Sequence, residues 1–147
     1  MSRPGYLRRG FLVWLLIAVA ESVQGTLRTK FLAPVVGDLA SRQLGLCAGS
    51  LVVLLVAWAT VRLIGASGTR ALMAVGLLWL VLMLCFEVAV GRAFGMPWER
   101  ILADYLPWRG GFMVVGMAVL AFAPWIAGRA WRAAGRSLEF SSHSSSH

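Results

Sequence analysis

An all-α, polytopic membrane protein, a bundle of four transmembrane helices, is the fold that the sequence predicts. Of the 147 residues, 59% are apolar and only 14% charged, whereas a soluble domain carries roughly 25% charged residues on average. The apolar residues also gather into four stretches, each near the ~20 residues that take a helix across a hydrocarbon core. Four spans cannot close a barrel, and lipid leaves every backbone polar group to be satisfied within the chain, so helices remain. These observations exclude a soluble globular enzyme, a disordered tail and a disulfide-stapled secreted module.

The first span is expected over 11–33, ended by Pro34 and Gly37. Arg3, Arg8 and Arg9, the apolar run 11–20 and Ala18-Val19-Ala20 before Glu21 also fit a signal peptide. Apolar and small residues continue past Glu21, which argues for a retained span. The second span is expected over 44–64, and Gly65-Ala66-Ser67-Gly68 turns it into the third, over 71–90. Between spans three and four, Pro97 fits the first turn of a short helix, on which Trp98, Ile101, Leu102 and Tyr105 share a face. That pattern predicts an interfacial amphipathic helix. Gly110-Gly111 opens the fourth span, over 111–127, with Pro124 near its end. Residues 1–136 thus read as one transmembrane domain, and 137–147 as a disordered Ser-rich tail or the remnant of a tag.

Thirteen of the fourteen basic residues are Arg, and they punctuate the apolar runs. They form no stripe with interleaved aromatics, so no nucleic-acid partner is expected; the lipid bilayer is. An even number of spans puts both termini on one side. That side holds Arg3, Arg8, Arg9, Arg62, Arg70, Arg129, Arg132 and Arg136, and the other holds Arg28, Lys30, Arg42, Arg92, Arg100 and Arg109 mixed with acids. The excess places both termini in the cytoplasm. Cys47 and Cys85 lie inside apolar runs and read as small buried hydrophobes, and both histidines fall in the tail. No metal, no other cofactor and no catalytic residue is therefore expected.

Shifting the chain by 66 positions sets Glu21 on Glu87, Gly25 on Gly91, Asp38 on Asp104 and Gly45 on Gly111. The fold expected is thus two repeated helical hairpins, about 11–64 and 71–127, related by an axis along the membrane normal. In each half an E-x-x-x-G closes the first helix. Gly25 and Gly91, with Gly45 and Gly49 on the second helix, would let helices approach closely. Centred charges cost about 2.5–3.5 kcal/mol each, so Glu21, Gln24, Arg28, Asp38, Arg42, Glu87, Arg92, Asp104 and Arg109 should turn inward at the non-cytoplasmic end. Pairing across the bundle, Glu87 with Arg28 or Glu21 with Arg92, is expected.

Such a carboxylate and Arg cluster points to three functions. The first is a small transport or permeation protein for a cation, proton or small polar solute, acting as a homo-oligomer. The second is a non-catalytic accessory or assembly subunit of a larger membrane-protein partner, with the cluster as interhelical glue. The third is a membrane-embedded enzyme acting on lipid, although no nucleophile–base set, metal-ligand spacing or Gly-rich phosphate loop is present.

The run Glu21…Gly25-Thr26-Leu27-Arg28…Pro34…Gly37-Asp38…Arg42-Gln43 resembles small four-span bacterial inner-membrane proteins of no known activity. The run Trp79-Leu80…Phe86-Glu87…Gly91-Arg92…Trp98-Glu99-Arg100…Asp104-Tyr105…Arg109-Gly110-Gly111 is similar to them too. The resemblance implies a retained first span and a bacterial inner membrane, and no activity.

Overall fold

The computed structural model describes residues 4–109 and 111–144, with side chains as far as Arg136. Arg3 and Gly110 of the sequence reading lie outside the described residues. The chain is helical throughout, with no strand among the described residues. Helix α1 (Tyr6–Leu27) passes through a π-helical turn (Arg28–Leu32) into the short α2 (Ala33–Val36). Helices α3 (Asp38–Ile64) and α4 (Thr69–Ala93) follow, then the short α5 (Trp98–Ala103), a single 3₁₀ turn (Pro107–Arg109) and α6 (Met113–Ser144). Four helical stretches are long and apolar enough to cross a membrane: Tyr6–Val36, Asp38–Ile64, Thr69–Ala93 and Met113–Arg136. This is the architecture of a multi-pass membrane protein.

Local chemistry explains most boundaries. Pro34 has no N–H for the Lys30 carbonyl, and the wider π turn just before it absorbs that missing bond. The first span therefore does not stop at Pro34. It stops at Gly37, whose φ of 86° and ψ of 161° suit only glycine. Gly65 closes α3 with φ 73°, and its N–H bonds to the Val61 carbonyl. Helix α6 carries Pro124 fully buried. It continues to Ser144.

Each spanning helix contributes one buried stripe at helical spacing. These are Trp14, Ile17 and Ala18 on α1, Val53, Ala57, Val61 and Ile64 on α3, Leu72, Val75, Trp79 and Met83 on α4, and Met117, Leu120, Ala123 and Ala127 on α6. Helix α6 packs on α3 and α4, and α1 packs on the same two, so the order around the bundle is α1, α3, α6, α4. Small residues allow the close contacts. A Cβ on Gly76 would run into the backbone carbonyl of Ala121, so α4 and α6 meet backbone to backbone. Gly10 admits Val75, and the Trp79 Nε1–H donates to the Gly10 carbonyl at 2.8 Å inside the bundle. In lipid such packing and interhelical hydrogen bonds replace the hydrophobic drive.

Cys47 and Cys85 are exposed, which corrects the expectation of burial. An apolar residue is as comfortable against lipid as in the interior, so polarity alone could not place them.

Candidate functional site

Every fourth residue of α3 near its N-terminus is small: Ser41, Gly45 and Gly49. Glu21 and Gln24 on α1 and Arg28 at the start of the π turn step by three and four and fill that notch. The Glu21 carboxylate lies over Gly49, where an added Cβ would sit 2.7 Å from Oε2. One turn on, Gln24 Nε2–H donates to the Gly45 carbonyl at 3.1 Å, and the Arg28 stem covers Gly45 so closely that a Cβ there would collide with Cδ. One turn further, Arg28 Nη1 is 3.5 Å from the Oγ of fully buried Ser41, which itself donates to the Asp38 carbonyl at 2.9 Å. Polar groups thus form a ladder between α1 and α3.

At the outer end of this ladder Arg42 binds two carboxylates. Its Nε–H donates to Asp38 at 2.9 Å and its Nη1–H to Asp104 at 2.8 Å. The first bond lies along α3, and the second fastens the segment after α5 to α3. Asp104 also accepts the Met113 N–H through its backbone carbonyl and so starts α6. At the inner end Glu21 Oε1 is buried and has no hydrogen-bond partner. It lies within electrostatic reach of Glu87 on α4, and Glu87 lies within reach of Asp104. Tyr105, outside the spans, has a half-buried ring and a buried hydroxyl without a partner. Burial, then the charges of Glu87 and Asp104, hold its phenol above the usual tyrosine range.

The sequence-named residues separate into those that converge and those that do not. Glu21, Gln24, Arg28, Asp38, Arg42 and Asp104 join the ladder, with Glu87 facing its inner end. Glu21 does not share a level with Asp38, because Gly49 lies 11 residues into α3, about 16 Å along the axis at 1.5 Å per residue. The cross-bundle pairs anticipated do not form. Arg28 goes to Ser41, while exposed Arg92 donates to the Met96 carbonyl at 3.0 Å and lies over Trp98 at 5.1 Å. Arg109 is exposed and stands outside the cluster. Helix termini and turns offered these long cations nearer partners than the opposite carboxylates.

The glycines also differ from expectation. Gly25 has open space where a Cβ would stand, so it packs against nothing. Gly91 receives Ile101 of α5 at 3.1 Å, and Gly45 and Gly49 receive polar side chains rather than a second backbone. Sequence reasoning missed Ser41 and Tyr105 as members of the site. The spacing of Ser41 from Gly45 and Gly49 was its available signal. No cluster of three or more His, Cys, Asp or Glu suited to a metal occurs among the described residues. Comparison with family models, curated proteins and solved structures finds no match for this chain.

Proposed function

We propose that this chain is a small transport or permeation protein that moves a proton, cation or small polar solute, with Glu21 and Glu87 as its carrier groups. The observation that carries the reading is the buried Glu21 Oε1 without a hydrogen-bond partner, at the inner end of a polar ladder. A carboxylate desolvated in this way is costly as a bare anion, so it favours a bound proton or cation. Gln24, Arg28, Ser41 and Arg42 mark the approach to it from the Asp38 end. Beyond Glu21 the interior is closed by Ala57, Val75, Trp79 and Ala123, all fully buried. Passage therefore needs either a rearrangement within one copy or a path between the copies of a homo-oligomer.

The same packed interior favours a second reading, a non-catalytic accessory subunit that docks on a larger membrane protein. The finer architecture belongs to the proposal too. Two repeated hairpins are supported by the 66-residue offset that sets Glu21, Gly25 and Asp38 on Glu87, Gly91 and Asp104, and by α1 packing on α3 as α4 packs on α6. An interfacial position for α5 is supported by exposed Trp98 and Leu102 beside buried Ile101. The Arg excess at the termini supports both ends being cytoplasmic, and the resemblance to small four-span bacterial proteins supports an inner membrane.

The deciding measurement is flux in proteoliposomes, read by an internal pH dye and by tracer cations. Glu21→Gln and Glu87→Gln should each abolish it while the protein still inserts and unfolds cooperatively. Flux unchanged in both variants would overturn the transport reading. A stoichiometric partner recovered in mild detergent from a flux-silent wild type would favour the accessory one.

A further inference from the structure

Three buried side-chain polar atoms among the described residues lack a hydrogen-bond partner: Trp14 Nε1, Glu21 Oε1 and the Tyr105 hydroxyl. They are not scattered. Tyr105 follows α5 at the outer end, within electrostatic reach of Glu87, and Glu87 is within reach of Glu21. Trp14, Ala18 and Glu21 step by four and three along one face of α1, so the indole lies two turns inward of the carboxylate. Trp14 is only 7% exposed, and its ring meets that of Phe86, the neighbour of Glu87, edge to face at 6.2 Å. By contrast, Trp79 Nε1–H and Trp131 Nε1–H each reach a carbonyl, of Gly10 at 2.8 Å and of Trp58 at 2.7 Å. A buried polar atom without a partner destabilises a fold, and native structures hold few of them. All three here lie along one track through Glu87, from the outer end into the bundle.

We infer, on the footing of the transport reading, that this track is a proton relay and that the species moved is a proton rather than a metal cation or polar solute. Water entering from the outer end supplies the links. The Tyr105 hydroxyl, neutral throughout the physiological range, both donates and accepts and so seats the first water. That water, once protonated, gives its proton to the Glu87 carboxylate, which gains an O–H and leaves a neutral water behind. Glu87 passes the proton through a second water to Glu21 and returns to carboxylate. Glu21 then releases it to a water held by the Trp14 N–H. An indole N–H only donates, so it takes one lone pair of that water and leaves the other for the proton. From there the proton leaves by the rearrangement or the path between copies that the packed interior already requires. Metal cations fit this track poorly. Hard divalent ions take about six or more oxygen ligands, and no group of three or more His, Cys, Asp or Glu suited to a metal occurs among the described residues. A polar solute would need a bore, yet Glu21 lies so close on α3 that a Cβ added to Gly49 would be 2.7 Å from Oε2. A proton needs only a single file of water.

The test uses the full chain in proteoliposomes under an imposed pH gradient, with an internal pH dye and with sodium and rubidium tracers on opposite sides of one experiment. The wild type should move the dye signal and leave both tracers at the level of protein-free vesicles. Tyr105→Phe and Trp14→Phe keep the rings and remove only the hydroxyl and the N–H. Each should slow the proton signal about tenfold, the worth of one charge-assisted hydrogen bond, while the protein still inserts and unfolds cooperatively. Tracer flux without a dye response overturns the proton inference and leaves the transport reading standing. Proton flux at the wild-type rate in both folded variants overturns the relay. Silence in both dye and tracers removes the transport reading itself, and the relay with it.

Discussion

Tyr105 shows how little of a side chain's work is visible from its type. In the sequence it belongs to the apolar face of a short helix, yet α5 ends at Ala103 and Tyr105 falls in the turn beyond it. There its hydroxyl is buried without a partner, beside the charges of Glu87 and Asp104. Its phenol titrates above the usual tyrosine value, so the folded state prefers the neutral form. The corresponding stability is complete below about pH 10, the ordinary value, and is lost as pH rises through the higher folded value. Thermal unfolding in detergent should therefore show an alkaline decline that Tyr105→Phe diminishes. At neutral pH the same variant should be nearly neutral or slightly stabilising, because the hydroxyl it removes bonds to nothing. A profile identical to wild type above pH 10 would show that Tyr105 does not sense those charges. Glu21 was legible as a residue that lipid would not tolerate, but its partners were not. Its reach to Glu87 and its seat on Gly49 arise only when three helices meet.

Among the helices, glycine spacing proved a poor guide to which glycine matters. Gly25 stands four residues from Glu21 and repeats at Gly91, yet a Cβ there meets nothing. Gly76 belongs to no such motif and carries the tightest crossing, α4 on the Ala121 carbonyl of α6. Gly76→Val should separate these helices and cost several kcal/mol or prevent folding, beyond the ~1–3 kcal/mol usual for overpacking. Gly25→Ala should be neutral or stabilising, since a helix interior gains roughly 1 kcal/mol from alanine over glycine. Thermal stability of the two variants side by side is the check, and equal losses would contradict the packing described. Element boundaries were more legible. Gly37 and Gly65 mark their breaks in the sequence, whereas Pro34 misleads because a π turn before it lets the helix continue.

Across the whole molecule, the Arg42 bridge is the long-range device that ties α3 to the segment after α5 at the polar end. Asp38 is its neighbour along α3, and Asp104 reaches it from 62 residues away. Both acids are at least partly exposed, so the pairs are screened and worth about 1 kcal/mol or less each. Asp104→Asn should lower thermal stability slightly at low salt, and high salt should shrink the difference. Arg42→Ala should cost more, because it leaves two carboxylates facing each other. A stability for Asp104→Asn equal to wild type at low salt would show that the bridge fastens nothing. Composition and run length were enough for four membrane-crossing helices, because lipid admits little else: apolar runs of span length must satisfy their backbones internally. They were not enough for the facing of those helices. Against lipid an apolar side chain is equally at ease inward or outward, so Cys47 and Cys85 could face out and Gly25 could pack on nothing. Only folding set the α1, α3, α6, α4 order and gave Glu21 a notch, Arg42 two acids and Arg62 a tryptophan. Apart from Arg42 with Asp38, one turn away on α3, each of those contacts joins residues far apart in the chain, and their closeness in space follows from helix packing rather than from any spacing along it.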